Sequence, residues 1–186
     1  MDHGKSCQRV CVYCASSQDA HEEYRTSARR LGTLFAEAGV TVVYGGGSIG
    51  SMGALADGAL ASGGEVVGIL PEFMEQREWG HDGVTELRIV NDMHERKSSM
   101  LAGVDAVVAL PGGCGTLEEL LEALTWKRLG LKDCPIVMVN TRDYFEPLIR
   151  LLEKAVDEHF MTAEQRHLWS VVASPDDVLP AIHRAL

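Results

Sequence analysis

Short β-branched runs alternate with longer helix-forming stretches along most of this sequence, and that rhythm constrains the fold more than any other feature. Strand-like runs fall at 10–14, 40–44, 65–70, 86–90, 106–110 and 136–139, and helical patterns occupy 22–38, 52–62, 93–102, 116–129 and 144–159. Parallel strands need a long crossover, which a helix supplies, so the alternation predicts βαβ units, a largely parallel sheet and helices on both faces. The expected class is α/β, Rossmann-like and doubly wound, as one domain over 1–186 with a flexible N-terminus at 1–8. No repeat, low-complexity tract or linker interrupts it. A chain of 186 residues with 46% hydrophobic content buries roughly two thirds of its unfolded surface around a single core.

Charge and cysteine usage narrow the function classes. A net charge of −10 argues against a nucleic-acid or anionic-membrane partner, because such surfaces are bound by neutralising phosphates with Lys and Arg. Any phosphate bound here must be small and locally cradled. The start MDHGKSCQRV lacks a long apolar core, no apolar run approaches the ~18 residues needed to span a bilayer, and five cysteines is an odd number. A reduced, cytoplasmic protein is the expectation. Cys11 and Cys14 form one C-x-x-C, but no second pair follows and Cys7 and Cys134 lack partners at ligand spacing. Buried apolar thiols on a first strand fit better than a metal or redox site.

In an open parallel sheet, ligands bind beyond the carboxyl ends of the strands, and three motifs fall there. In YGGGSIGSMG, residues 44–53, Gly45, Gly47 and Gly50 satisfy G-x-G-x-x-G, with Glu72 at about the spacing of a ribose-binding acid. It follows the second predicted strand rather than the first and lacks a Walker ending, so glycines that merely let a strand turn into a helix explain it equally well. In NDMHERKSSM, residues 91–100, Asp92 and Glu95 have capping-box spacing. Arg96 and Lys97 follow in the first turns, where cations oppose the helix dipole and need acidic neighbours or an anion. A solvated ion-pair face is the simpler expectation. The segment PEFMEQREWGHDG, residues 71–83, is the most irregular and reads as a flap over a site.

The third motif, LPGGCGTLEEL at 110–120, sets Gly112, Gly113 and Gly115 after a strand and Glu118 and Glu119 at the mouth of a helix. Thr116 as cap with Glu119 reaching back explains part of it, but not the glycines, whose flexibility carries an entropic cost. Glycines at a helix start suit an anion, whereas carboxylates suit developing positive charge. Together with Arg96 and Lys97, these are the two ends of a nucleoside 5′-monophosphate during cleavage of its N-glycosidic bond, where the ribose becomes oxocarbenium-like.

The stretches PGGCGTLEE, MHERK, YGGGSIGSMGALADGAL and CVYCASS, with LTWKRLG and YFEPL further on, closely resemble the LONELY GUY family. These are the cytokinin-activating phosphoribohydrolases long labelled lysine decarboxylase-like. The resemblance implies hydrolysis of N6-modified adenosine 5′-monophosphates, such as the isopentenyl form, to free base and ribose 5-phosphate, with no metal or organic cofactor. Arg96 and Glu119 match the family's catalytic pair. Substrate contacts are implied at Glu78, Arg96, Lys97, Gly112, Gly113, Cys114, Gly115, Thr116, Leu117, Glu118, Glu119 and Thr125, the last lying two turns beyond Glu118 on one helix face. A homodimer, with residues of one subunit completing its neighbour's site, is implied too. Ser51, where the family usually has leucine, and Cys114 at the loop's variable position depart from the pattern.

Chemistry fits these residues to that reaction. A Glu119 carboxylate stabilises the oxocarbenium-like ribose and orients or deprotonates water, an effect worth ~10²–10⁴ in rate. An arginine is suited to positioning and charge neutralisation rather than to proton donation. Backbone amides of Gly113, Gly115 and Thr116, with the Thr116 hydroxyl, form the expected 5′-phosphate cradle, and the 45–50 loop a second wall. A non-catalytic nucleotide binder, an AMP-preferring nucleosidase and a dinucleotide-dependent oxidoreductase are the alternatives, since fold alone does not choose function. Pyridoxal-phosphate decarboxylation fits poorly, because Lys97 is the only lysine at a plausible site and it sits in a helix start.

Overall fold

A computed structural model describes residues 7–75 and 79–186. In chain order the elements are β1 (Arg9–Tyr13), α1 (Glu22–Glu37), β2 (Thr41–Tyr44), α2 (Gly50–Ala61), β3 (Val66–Pro71), the single turn α3 (Glu72–Glu75) and β4 (Glu86–Val90). There follow α4 (Met93–Leu101), β5 (Ala106–Ala109), α5 (Cys114–Arg128), β6 (Ile136–Val139), α6 (Glu146–Asp157), β7 (Ser170–Val172) and α7 (Val178–Ala185). The seven strands form one sheet in the order β4-β3-β2-β1-β5-β6-β7. Every neighbouring pair is parallel, so the sheet is wholly rather than largely parallel. Strand order reverses at β1, whose two neighbours are β2 and β5 in register Val10↔Val42 and Val10↔Ala106.

The strands alternate between two cores. Val10, Val12 and Cys14 face a cluster closed by α1, α2 and α7, whereas Cys11 and Tyr13 face one closed by α4, α5 and α6. An odd step along a strand changes face, so the C-x-x-C is split across the sheet and serves as packing on both sides. Close contact of α1 with α2 rests on two glycines: a Cβ at Gly32 would lie 2.1 Å from the Leu55 carbonyl oxygen, and one at Gly58 2.2 Å from that of Arg29.

Predicted elements map onto observed ones with small shifts at their ends. The helix expected from 116 starts at Cys114, with Gly113 as N-cap, so Thr116 is not the cap. The helix expected over 144–159 starts at Glu146, because the chain first makes a tight turn at Thr141–Asp143. β7 and α7 were not anticipated. β7 has only three residues at a sheet edge, and α7 carries Pro180 within its first turn, where a missing N–H is tolerated. Of the N-terminal segment, Cys7 is buried and the Gln8 N–H donates to Asp105 Oδ2 at 2.9 Å, while residues 1–6 lie outside the described residues.

Candidate active site

At the point where strand order reverses, a cavity of about 570 Å³ opens beyond the carboxyl ends of β1, β2, β3 and β5. Its walls come from the turn after β1 (Cys14 to Ser17), the glycine loop after β2, the α3 region with Trp79, the start of α4, and the start of α5. Its lining combines the apolar Ile49, Met52, Leu70, Met74, Trp79 and Met93 with Arg96, Glu118, Glu119, Gly113, Gly115 and Thr116. Of the described part of the 71–83 segment, Met74 and Trp79 line this space, and Gly80 bridges to Gly47.

The charged centre of the cavity is a buried ion pair. Arg96 Nη1 donates to Glu119 Oε1 at 2.8 Å, and the two side chains are only 6% and 5% exposed. Nε of Arg96 donates to the Ile69 carbonyl and Nη2 to that of Gly45, both at 3.2 Å. The guanidinium is therefore fixed by the ends of β2 and β3 as well as by its partner. Gly45 makes room for it, since a Cβ there would stand 2.1 Å from Nη2. This overturns the expectation of a solvated face for Arg96. It also overturns the capping role for Glu119, whose carboxylate turns across to α4 rather than back to its own helix start. The acid that does reach back is Glu95, which accepts from the Asn91 N–H at 2.8 Å while Asp92 caps α4.

Burial pushes the Glu119 carboxyl above its ordinary pKa, with the Arg96 guanidinium pulling it down and the Glu118 charge adding to the rise. Burial likewise raises the Cys11 and Cys14 thiols and the Tyr13 phenol beneath it, so these stay neutral. The Arg96 guanidinium beside Glu119 favours its ionised form. An unpaired buried carboxylate would take up a proton instead.

Of the residues singled out from sequence, Arg96, Gly113, Gly115, Thr116, Glu118 and Glu119 converge on the cavity. Lys97, Gly112, Cys114, Leu117 and Thr125 do not line it. Lys97 Nζ donates to Glu118 Oε1 at 2.5 Å and to Glu122 Oε1 at 3.1 Å. Cys114 is exposed, Leu117 packs on the core, and the exposed Thr125 donates its hydroxyl to the Leu121 carbonyl at 2.8 Å. Glu78 lies outside the described residues. Glu72 is exposed and off the cavity, which removes the ribose-binding acid that the G-x-G-x-x-G reading required. Gly50 has φ +63° and a Cβ there would lie 2.6 Å from Ser16 backbone, so turning and packing account for that glycine. Sequence reasoning did not single out Ser16, Ser17, Met52 or Met93, which have no motif spacing of their own. Among the described residues no cluster of His, Cys, Asp and Glu could hold a metal ion, and no helix is long and apolar enough to cross a membrane.

Residues 52–182 match the family described as possible lysine decarboxylase. The cytokinin riboside 5′-monophosphate phosphoribohydrolase LOG1 of Arabidopsis thaliana is 41% identical over 168 residues, 90% of this chain and 78% of the relative. The probable enzyme LOGL6 of rice, Oryza sativa subsp. japonica, is 39% identical over 172 residues, 92% and 69% of the two chains. The chain belongs to the LONELY GUY family. The LONELY GUY scaffold is shared more widely than its sequence: a molybdenum cofactor carrier protein from Chlamydomonas reinhardtii superposes with a TM-score of 0.73 at 23% identity, covering 97% of this chain and 98% of that one. At that identity the likeness concerns the fold. In this LONELY GUY member the P-G-G-x-G-T-x-x-E motif is the strand-to-helix turn from β5 into α5, and its last residue is the Glu119 that meets Arg96.

Proposed function

We infer that the chain hydrolyses the N-glycosidic bond of N6-modified adenosine 5′-monophosphates, giving free base and ribose 5-phosphate. The observation that carries this reading is the buried Arg96–Glu119 pair at 2.8 Å, set in a cavity lined by apolar side chains and by an uncapped helix start rich in glycine. The relatives bear the name of that activity.

The geometry suits the chemistry. The N–H groups at the start of α5 and its dipole favour an anion, here the 5′-phosphate. The methionines and Trp79 offer a dry surface for the purine and a hydrocarbon substituent. As the C1′–N9 bond breaks, its electron pair leaves on the purine, which takes a proton from solvent water, and C1′ becomes cationic. Glu119 stabilises that charge and takes a proton from the water whose oxygen joins C1′, and that proton then returns to solvent. Arg96 keeps Glu119 ionised and oriented. Glu118, Lys97, Thr125 and Glu78 are proposed as further substrate contacts.

Two finer points belong to the same proposal. A homodimer is supported by the outer face of α5, where Leu121 and Leu129 are 41% and 58% exposed with Thr125 between them one turn from each. A pairing along that face brings Thr125 toward a neighbouring subunit. A cytoplasmic setting is supported by five cysteines outside any disulfide among the described residues, which suits a reducing compartment.

Chromatography of the protein incubated with isopentenyladenosine 5′-monophosphate, AMP and the dephosphorylated nucleoside tests the reading. Free base from monophosphates alone, abolished by Glu119→Gln and by Arg96→Ala, is expected. No base from any substrate overturns it.

A further inference from the structure

The mechanism above leaves unused the turn that follows β6. Two successive L-residues there, Arg142 and Asp143, hold φ +57° and +55°, a conformation that disfavours side-chain-bearing residues by about 1 kcal/mol or more each. The turn is fixed from every side. Asn140 donates its N–H to the Val172 carbonyl at 2.8 Å and accepts the Phe145 N–H on Oδ1 at 2.7 Å. Thr141 and Ser27 hydroxyls meet at 3.0 Å, and Arg142 donates to Glu23 at 2.7 Å. Phe145 is fully buried. Such constraint delivers one side chain to a fixed place: the Tyr144 ring stands edge-on to Phe145 and Tyr24, with centroids 5.2 and 6.0 Å away. Its hydroxyl donates to the Gly112 carbonyl oxygen.

That carbonyl belongs to the peptide joining Gly112 to Gly113, between two residues that rotate more freely than any others. In a planar trans peptide the N–H points opposite to the C=O. Pinning the Gly112 carbonyl on Tyr144 therefore aims the Gly113 N–H away from Tyr144. Gly113 is the N-cap of α5 and lines the cavity, while Gly112 itself does not. On the other side the Thr116 side chain closes on Gly112, leaving 2.1 Å to where a Cβ would stand.

We propose that Tyr144 is a positioning residue of the anion site: its hydroxyl holds the Gly112–Gly113 peptide in the orientation that presents the Gly113 N–H to the substrate's 5′-phosphate. The proposal rests on the phosphoribohydrolase reading for the identity of that anion. Without the hydroxyl the peptide between two glycines is free to rotate, and the phosphate loses a preset donor.

Tyr144→Phe keeps the ring and its edge contacts and removes only the hydroxyl. Steady-state kinetics with isopentenyladenosine 5′-monophosphate are expected to show KM raised roughly five- to tenfold, the scale of one hydrogen bond, with kcat changed less than about twofold. Calorimetric affinity for ribose 5-phosphate falls in parallel, whereas inhibition by free isopentenyladenine is unchanged. Unchanged ribose 5-phosphate affinity overturns the proposal. So does an equal loss of base and sugar-phosphate binding, which marks general loosening. A wild type that turns over no nucleotide overturns the functional reading, yet ribose 5-phosphate calorimetry on both proteins still decides the role of Tyr144, and a wild type that does not bind ribose 5-phosphate overturns that role.

Discussion

Arg96 and Lys97, neighbours on α4, pair with the neighbours Glu119 and Glu118 on α5, and Lys97 reaches Glu122 as well. The first pair is 6% and 5% exposed, and the second 13% and 55%. One residue turns a helix by about 100°, so neighbours of the same charge type end at the cavity floor and at its rim. Residue type alone does not decide what a pair does. At the floor, removing one partner leaves the other largely buried and without its counter-charge, at a cost of about 3–5 kcal/mol. At the rim, solvent reaches Glu118 and weakens the pair toward the ~0–1 kcal/mol of surface ion pairs. The inner pair is accordingly the candidate for chemistry, and the outer one for trimming the field around it.

The largest effects test the inner pair. Arg96→Ala is expected to abolish base release and to lower unfolding stability by about 3–5 kcal/mol in denaturant titration, because Glu119 is left buried and unpaired. Glu119→Gln, which keeps shape and hydrogen-bonding capacity, is expected to lose ~10²–10⁴ in kcat while remaining folded by circular dichroism. If Glu118→Gln and Lys97→Met are as damaging as these, the distinction between floor and rim collapses.

Next in size is Gly45→Ala. Its new methyl would stand 2.1 Å from Arg96 Nη2 and 3.1 Å from Met52 Cε, so the guanidinium must leave its place between the Gly45 carbonyl and Glu119. Overpacking of this kind costs about 1–3 kcal/mol, and kcat/KM is expected to drop roughly 10- to 100-fold. Wild-type kinetics in this variant would mean that the arginine's position, as distinct from its charge, is unimportant.

Much of this was legible in the sequence because it depends on periodicity. β-branched runs of four to six residues separated by helix-length segments specify a parallel doubly wound sheet, and the glycine-rich turns of such a sheet fall at its ligand-binding edge. The same pattern sets the Arg96–Lys97 and Glu118–Glu119 neighbours near that edge, whereas the choice of Arg96 and Glu119 among them rests on the family resemblance. Their burial was not legible, since a charged pair at a helix start is locally indistinguishable from a solvated one. What buries Arg96 is the approach of the β2 and β3 ends, contacts 51 and 27 residues away in sequence. The cap of α5 was misplaced for a related reason: Thr116 and Glu119 have the spacing of a capping box, and only tertiary competition from Arg96 draws the glutamate away. The Tyr144 contact crosses 32 residues and left no local signature.

The smallest expected effect is also the most discriminating. Glu119 must be ionised to act, and burial sets its pKa above the ordinary carboxylate range, so the acidic limb of kcat/KM against pH should lie above the ~4.3 of a free glutamate. Activity is then lost as pH falls through that raised value. The outer pair tunes it with opposite signs: the Glu118 charge raises the Glu119 pKa and the Lys97 charge lowers it. Glu118→Gln should therefore move the limb to lower pH and Lys97→Met to higher pH, with kcat/KM at neutral pH within about tenfold of wild type in each. Opposite displacements identify the rim pair as a field acting on Glu119. Displacements of the same sign, or none, would show that the two pairs work independently and that the titrating group lies elsewhere.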